Sequence, residues 1–518
     1  MFPSEDEIHR AFEMGELEFA RYLRLLEISR TGIDTSTTFL FDNIPNLSHF
    51  DYAPLQVPSD LETEQRDAFI ETPRTEPRLI VRLHQGQQLE EDGRSRYRTS
   101  FTADVSRSVN LSMRINREYT GRERFVTRSL TFAPDSGVVK RIVLGSFVER
   151  FGLGAVLGYS GKRLDASTQL DRESFLYPDH GGFNGLLAHL DLARFDLRAV
   201  ASHQRDNIYR LATAGLQFDR RFGRVALGLI NVFSRLSRRD GGEAANDHKS
   251  SLFTRYRYRN GAVAAEFARQ WQPAPDAAAV LEWRHRFERA GIRAAGWHYG
   301  EHYCGLLSGS KSGGLYRKVV LDDIDYEYSD RRSRQSGLLL RTAVDVTPRG
   351  KLINALQWAE QGTDSAETEF LSAFDVRLTE PWSARLEYGY EQDDRPPETA
   401  TGRHRLRLEQ RFAPDLWRIR TYIAYTRPRG DVTRGESEDY VSAFLRLRRE
   451  FDNSGALELW AHAGRIRKGR LDYWYGYIRH TCTIYGNTEI ACKLSHRYRR
   501  ADHSHHDTEF SVEVTAGL

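Results

Sequence analysis

The sequence predicts an all-β protein, a large antiparallel transmembrane β-barrel of about 22 to 26 strands with a short helical N-terminal extension. Three observations predict this fold. Apolar and polar residues alternate with period two in segment after segment from Pro77 onward. About 440 residues shared among 24 strands give roughly 18 residues per strand and connection, which suits a membrane-spanning strand and its turn. The last segment places Phe510, Val512 and Val514 on one face, as expected of a strand that closes a barrel.

The composition excludes a membrane protein built of helices. The chain is 40% hydrophobic and 28% charged, and no apolar run approaches the roughly 20 residues that a membrane helix needs. A barrel strand needs apolar residues only on its lipid-facing side, so its average is hydrophilic. The net charge of +3 is too balanced to favour nucleic acid, so we expect no nucleic-acid partner. Arginine dominates the basic residues, which fits either a GC-rich genome or a lumen lined with guanidinium groups.

Residues 1–75 are predicted to form a periplasmic helical extension and linker. Ser4 and Glu7 form a capping box, and apolar residues then recur at helical spacing up to residue 29. Residues 49–76 are rich in Pro, Asp, Glu and Thr, which is typical of a linker. No export signal is recognisable at the start, so we expect that it was trimmed or that the start codon is misassigned.

The barrel domain is predicted over residues 76–518. Strand, turn and strand alternate through this region with the residue types that each requires. The candidate strands are 78–84, 97–105, 109–115, 124–132, 138–147, 182–192, 194–203, 207–219, 223–235, 249–259, 260–271, 276–289, 291–300, 317–330, 334–346, 350–361, 366–379, 382–392, 401–412, 415–426, 437–449, 455–466, 470–480, 488–499 and 506–518.

The hairpin over residues 403–426 shows most clearly how charge is distributed. Its two strands alternate arginines with leucine, isoleucine and aromatic residues, so each strand has one charged and one apolar face. The charged face is predicted to line the lumen, with the alternative that it only forms ion-pair ladders with acidic neighbours. The candidate lumen-lining residues are Arg405, Arg407, Arg418, Arg420, Arg446 and Arg448.

Aromatic residues concentrate toward the ends of several predicted strands. Tyr473, Tyr475 and Tyr477 in one strand, and Trp382 and Tyr388 in another, predict the aromatic girdles that sit at membrane interfaces.

Two of the three cysteines flank a predicted turn. Cys482 and Cys492 would lie opposite each other if this turn were centred on Asn487. A disulfide between them is one interpretation, and two unlinked packing cysteines are the other.

A glycine-aromatic stretch separates the fifth and sixth predicted strands. Its glycines permit tight turns and positive φ, so we expect either a constriction folded into the lumen or a strand pair with a glycine kink. The candidate residues of this constriction are Gly145, Phe151, Gly152, Gly154, Gly158 and Lys162.

The same stretch resembles a family of bacterial outer-membrane barrels that carry a helix-hairpin-helix-like segment before the barrel. The family signature G-x-x-x-x-x-F-G-x-G-L, followed by G-x-G-K, is matched over Gly145 to Lys162, except that Ala155 replaces the leucine and Ser160 interrupts the later glycines. Residues 44–48 resemble the hairpin but lack the Gly-x-Gly that holds a DNA phosphate, so DNA binding is not implied.

The sequence therefore predicts a protein of the bacterial outer membrane that contacts membrane lipid. The expected function is a porin-like or plugged channel for polar or anionic solutes. The alternative is a scaffold without transport, anchoring a periplasmic or surface assembly through a protein partner bound to residues 1–75. No phosphate-binding loop, catalytic triad or paired catalytic carboxylate is recognisable, so no enzymatic activity, cofactor or metal site is expected.

Overall fold

In the computed structural model, the described strands belong to a compact unit formed by residues 77–310 and 331–518. The described residues are 78–88, 95–106, 108–117, 124–158, 183–192, 195–205, 209–238, 244–303, 335–361, 365–393, 401–429, 439–451, 455–467, 470–485, 488–500 and 504–517. The predicted extension over residues 1–75 and the candidate strand 317–330 lie outside these ranges.

All other candidate strands have a counterpart in the structure. The 24 strands are β1 (Arg78–Gln88), β2 (Ser95–Ser106), β3 (Val109–Arg117), β4 (Arg124–Phe132), β5 (Val139–Phe147), β6 (Phe183–Asp191), β7 (Phe195–Arg205), β8 (Tyr209–Phe222), β9 (Val225–Arg238), β10 (Ala244–Tyr258), β11 (Gly261–Gln272), β12 (Asp276–Arg286), β13 (Ala290–Tyr299), β14 (Gln335–Thr347), β15 (Gly350–Gln361), β16 (Ser365–Arg377), β17 (Trp382–Asp393), β18 (Thr401–Phe412), β19 (Trp417–Arg429), β20 (Tyr440–Phe451), β21 (Gly455–Arg467), β22 (Arg470–Tyr485), β23 (Thr488–Arg500) and β24 (Ser504–Gly517).

The strands form one closed antiparallel sheet. Each strand pairs with its neighbours in sequence, and β1 also pairs with β24 along Ile80–Gln88, so the sheet has no free edge. Connections after even-numbered strands are short, as at 223–224 and 348–349. The two longest connections, 148–182 and 300–334, both follow odd-numbered strands, so each begins at the opposite end of the sheet. The predicted barrel of 22 to 26 strands is confirmed.

The two faces of the wall differ in chemistry. Large apolar side chains such as Leu229 and Ile423, each 62% exposed, cover the outer face. Their neighbours in sequence alternate inward, where Ile230 is 2% exposed and buried polar residues are frequent. An outward apolar band and a polar interior are the pattern of a transmembrane β-barrel, because lipid surrounds only the outside. Within the described ranges, no helix is both long and apolar enough to cross a membrane.

The predicted aromatic girdles are only partly correct. Trp382 and Tyr388 point outward, and each is 39% exposed. Tyr473, Tyr475 and Tyr477 instead lie on the inner face of β22, because the exposed isoleucines of this strand have the opposite parity. Both faces of β22 carry aromatic residues, so the sequence pattern could not show which face meets lipid.

Candidate functional site

The lumen is the candidate functional site, and one part of it is filled by the chain itself. After β5 the backbone turns back over residues 148–158, here called the inner segment. The N–H of Phe151 donates to the carbonyl of Leu157 (3.1 Å), and the N–H of Gly154 donates to the carbonyl of Phe151 (2.8 Å). Gly152 and Gly154 have φ of +53° and +85°, which favour glycine. These features close a compact loop.

The inner segment packs its apolar side chains against the barrel wall. Phe151, Val156 and Leu157 are completely buried. A Cβ placed on Gly215 of β8 would lie 3.1 Å from the ring of Phe151, so this glycine makes room for the ring. The inner wall at this point is apolar, which is unusual for a lumen, and the inner segment removes that surface from water.

The polar anchor of the inner segment is Glu266 of β11. Its carboxylate accepts hydrogen bonds from the N–H of Leu153 (2.6 Å), the N–H of Ala155 (3.3 Å) and the hydroxyl of Ser251 (2.8 Å). The side-chain carbonyl of Gln217 accepts a further bond from the N–H of Gly152 (3.0 Å). Hydrogen bonds to a buried carboxylate are stronger than neutral ones, so this residue holds the loop in one conformation.

A residue of a second connection also contacts the inner segment. Tyr303, at the start of connection 300–334, is completely buried and donates from its hydroxyl to the carbonyl of Ala155 (2.8 Å). The ammonium of Lys249 lies 5.3 Å from the Tyr303 ring centroid, within cation–π range. The Arg150 guanidinium donates to the carbonyl of Leu153.

The predicted constriction residues divide between a strand and the inner segment. Gly145 lies within β5 at φ +104°, where a Cβ would come within 2.2 Å of the carbonyl oxygen of Arg128. Phe151, Gly152 and Gly154 belong to the inner segment. Gly158 is the last residue described there, and Lys162 lies outside the described residues. The stretch therefore contains both a glycine-bearing strand and an inward loop, and its role as a constriction stays a prediction.

Another part of the lumen carries charge. All six candidate arginines lie on the inner face of β18, β19 and β20. Arg407 and Arg405 are the most buried, at 1% and 3% exposure. Including Arg403 and Arg411, this face carries eight arginines and two glutamates, Glu409 and Glu450, an excess of six positive charges. Glu391 of β17 and Glu458 of β21 pair with two of these arginines and reduce the excess to four.

Glu409 is the centre of this charged surface. Its carboxylate, 2% exposed, forms ion pairs with Arg411 (2.7 Å), Arg420 (2.8 Å) and Arg407. Arg407 also lies 4.2 Å from the ring centroid of Tyr422. One carboxylate is therefore shared by three guanidinium groups, and the cluster stays positive.

The remaining candidate arginines also have acidic neighbours. Arg446 pairs with Glu458 (3.1 Å), while Arg418 and Arg448 both contact Glu450 (3.7 and 3.5 Å). Arg407, Arg418, Arg420, Arg446 and Arg448 thus take part in ion pairs, as the ladder interpretation expects.

The strand register adds a feature that ion pairing alone does not explain. Arg411, Arg420 and Arg446 are direct cross-strand partners on three successive strands. Like charges directly opposite each other destabilise a sheet. This arrangement, here called the arginine row, places like charges opposite each other, and the ion pairs with Glu409 and Glu458 oppose their repulsion.

Sequence reasoning missed the residues that organise both parts of the lumen. Glu266 was overlooked, although it has the inward parity of β11 and lies between two inward alanines, Ala264 and Ala268. Small residues beside a lone carboxylate leave space for a docked loop, so this pattern on the inward face of a strand could have indicated the site from the sequence. Glu409 and Glu458 have the parity of the arginines, but their pairs with Arg420 and Arg446 cross between strands and require the register.

Of the two interpretations of Cys482 and Cys492, the structure has the unlinked cysteines. The register pairs Cys492 with His480 and Cys482 with Ile490, so the two cysteines are offset rather than opposite, and both thiols are free. The cause is a register shift between Thr483 and Tyr485, which centres the hairpin one residue earlier than expected. Among the described residues, no group of three or more His, Cys, Asp and Glu side chains could hold a metal ion.

No protein-family model and no curated protein matches the sequence. Solved structures with a similar fold include the P pilus usher PapC translocation pore, at 10% identity and TM-score 0.39, covering 85% of this chain and 99% of that chain. The siderophore receptor PirA from Pseudomonas aeruginosa shares 9% identity at TM-score 0.47, covering 86% and 81%. The copper transporter OprC shares 10% identity at TM-score 0.43, covering 86% and 80%. No function is carried over from them.

Proposed function

We propose that this protein is a channel of the bacterial outer membrane that passes polar solutes and favours anions, with its lumen narrowed by the inner segment. The observation that carries this proposal is the excess of arginine on the inner face of β18–β20. Guanidinium groups stay charged at every physiological pH, so they provide a fixed positive field inside the barrel. A wall of fixed cations attracts anions and repels cations.

The arginine row supports the proposal further. Three arginines placed directly opposite one another destabilise the wall, and a wall needed only for stability would alternate the signs of its charges. Glu409, bound by three arginines, keeps the row in place without neutralising it. A positive lumen that remains folded is what anion passage requires.

The inner segment supports a narrowed lumen. Its side chains bury an apolar patch of the wall, and its backbone is held by the buried carboxylate of Glu266. Barrels of this width enclose a lumen large enough to need internal filling.

The test is single-channel conductance of the full chain refolded into a planar bilayer, with a tenfold gradient of potassium chloride across the membrane. We expect discrete conductance steps and a reversal potential displaced toward that of chloride. In a matched variant, Arg411→Gln with Arg420→Gln, the reversal potential should move toward zero. A barrel that is inserted but silent, or one that prefers cations, would overturn the proposal.

A further inference from the structure

A continuous run of aromatic side chains follows the arginine row along the inner wall. Its members, here called the aromatic track, are Tyr422 of β19, Phe444 of β20, Trp460 of β21, and Tyr475 and Tyr477 of β22. Ring centroids are 5.0 Å apart between Tyr422 and Phe444, 5.3 Å between Phe444 and Trp460, and 5.7 Å between Trp460 and Tyr477. The last pair is nearly parallel, at 5°.

The strand register arranges these rings in two neighbouring rows. In the first row, Arg446 pairs with Trp460 and Trp460 pairs with Tyr477, so the arginine row continues directly into aromatic residues. In the second row, Tyr422 pairs with Phe444. Neighbouring strands lie about 4.8 Å apart, so a track from β19 to β22 is about 14 Å long. That length exceeds one sugar ring and suits a chain of them.

Charged groups border the rings on both sides. The ammonium of Lys493 lies 4.4 Å from the Tyr477 ring centroid, and the guanidinium of Arg497 lies 5.9 Å from that of Tyr475. The hydroxyl of Tyr477 donates to Glu458 (2.6 Å), which also accepts from Arg446 (3.1 Å). The track therefore offers flat apolar faces with cations and hydrogen-bonding groups at their edges.

Packing alone does not account for this run. Where aliphatic side chains such as Ile230 line the inner wall at β9, the inner segment packs against them and they are buried. Phe444, Trp460 and Tyr475 instead remain partly exposed on the inner face. Exposed aromatic surface in a polar lumen is unfavourable unless a ligand covers it.

We propose that the aromatic track binds acidic oligosaccharides, that is, chains of sugar rings that carry carboxylate groups. The C–H face of a sugar ring is apolar and packs on an aromatic ring, while the hydroxyl groups at its edge need hydrogen-bonding partners. Carboxylates on the sugar pair with guanidinium and ammonium groups such as Arg446 and Lys493. This inference rests on the proposed channel function, because it names the class of anionic solute that the lumen accepts.

The test is block of the single-channel current by a galacturonic acid hexamer, compared with a neutral glucose hexamer and with monomeric galacturonate. We expect the acidic hexamer to interrupt the current at the lowest concentration. Trp460→Ala should weaken its block about fivefold, since a stacked aromatic contact contributes about 1 kcal/mol. Lys493→Gln should weaken block by the acidic hexamer without changing block by the neutral one. The matched control is Trp474→Ala, on the outer face of the same β22, which should change neither.

The outcomes separate this inference from the proposed function. Anion-selective channels that the acidic hexamer does not block would overturn the track as a binding site and leave the channel intact. Equal block by the neutral hexamer would overturn the acidic class of ligand. If the refolded barrel conducts no current, titration calorimetry tests whether the aromatic track binds the acidic hexamer. Binding that Trp460→Ala weakens and Trp474→Ala does not would support the site, and no binding would overturn it.

Discussion

Replacing the anchor of the inner segment with Glu266→Ala should release the segment and increase the current through the barrel. The carboxylate of Glu266 accepts hydrogen bonds from the backbone of Leu153 and Ala155, at 2.6 and 3.3 Å, and from Ser251 at 2.8 Å. Alanine removes the acceptor of all three hydrogen bonds. The two backbone N–H groups then have no protein acceptor at this position, so the packed conformation loses part of its advantage over a detached one.

The size of the effect follows from these contacts. A hydrogen bond to a charged group contributes about 1.5 to 3 kcal/mol. Two of them hold the inner segment, but water replaces part of the loss once the segment detaches, so we expect about 3 kcal/mol in total. A change of 1.4 kcal/mol is tenfold, so the detached population should rise about a hundredfold.

The assay is the single-channel record of the parent and the variant in the same bilayer. We expect longer or more frequent high-conductance states in Glu266→Ala. The matched control is Glu513→Ala on β24, where the carboxylate forms one half-exposed ion pair with Arg479 (3.0 Å). Such pairs contribute about 0 to 1 kcal/mol, so the control should behave like the parent.

Folding must be checked separately from conductance. Each variant should resist unfolding in detergent until it is boiled, as judged by its electrophoretic mobility. If Glu266→Ala is folded and its conductance equals that of the parent, the carboxylate does not hold the inner segment, and the reasoning fails.

Three further predictions concern other parts of the wall. Gly152→Ala should increase conductance in the same way, because its Cβ would lie 2.8 Å from the Glu266 carboxylate, whereas Gly223→Ala, at a similar φ with no atom within 4 Å, should not. Glu409→Gln should lower the free energy of unfolding by about 3 kcal/mol and increase anion selectivity, because buried arginines lose their shared partner; denaturant titration and reversal potentials measure this. Ile423→Arg should cost about 2 to 4 kcal/mol in a lipid bilayer, because this position faces lipid; an unchanged denaturation midpoint would contradict that placement.

The charged hairpin over residues 403–426 shows which features of the site could be predicted from the sequence. Alternation is a property of residues i and i+2, so the inward parity of Arg405, Arg407 and Arg420 could be read directly from the sequence. The cross-strand partners could not, because a glutamate contacts whichever residue the register of the neighbouring strand brings opposite. Arg407 and Arg411 lie two residues from Glu409 on β18, whereas the pair of Glu409 with Arg420 depends on how β18 is aligned with β19.

The cysteines and tyrosines of β22 show the same limit. A disulfide between Cys482 and Cys492 was one of two interpretations, and the hairpin register does not place these residues opposite each other. Tyr473 and Tyr475 were expected at the membrane interface, but they lie on the inner face of β22. The sequence could not show this, because a strand with aromatic residues on both faces does not indicate which face meets lipid.

The sequence by itself determined the fold class, the approximate number of strands and the face on which the arginines lie, because these follow from a period of two residues and from spacing along the chain. Only the tertiary structure decided that Glu266 holds Leu153, although 113 residues separate them, and that an arginine row runs into an aromatic track. Both depend on which strands are neighbours and in what register they pair. Contacts across a closed sheet fix that register, and no local pattern encodes it.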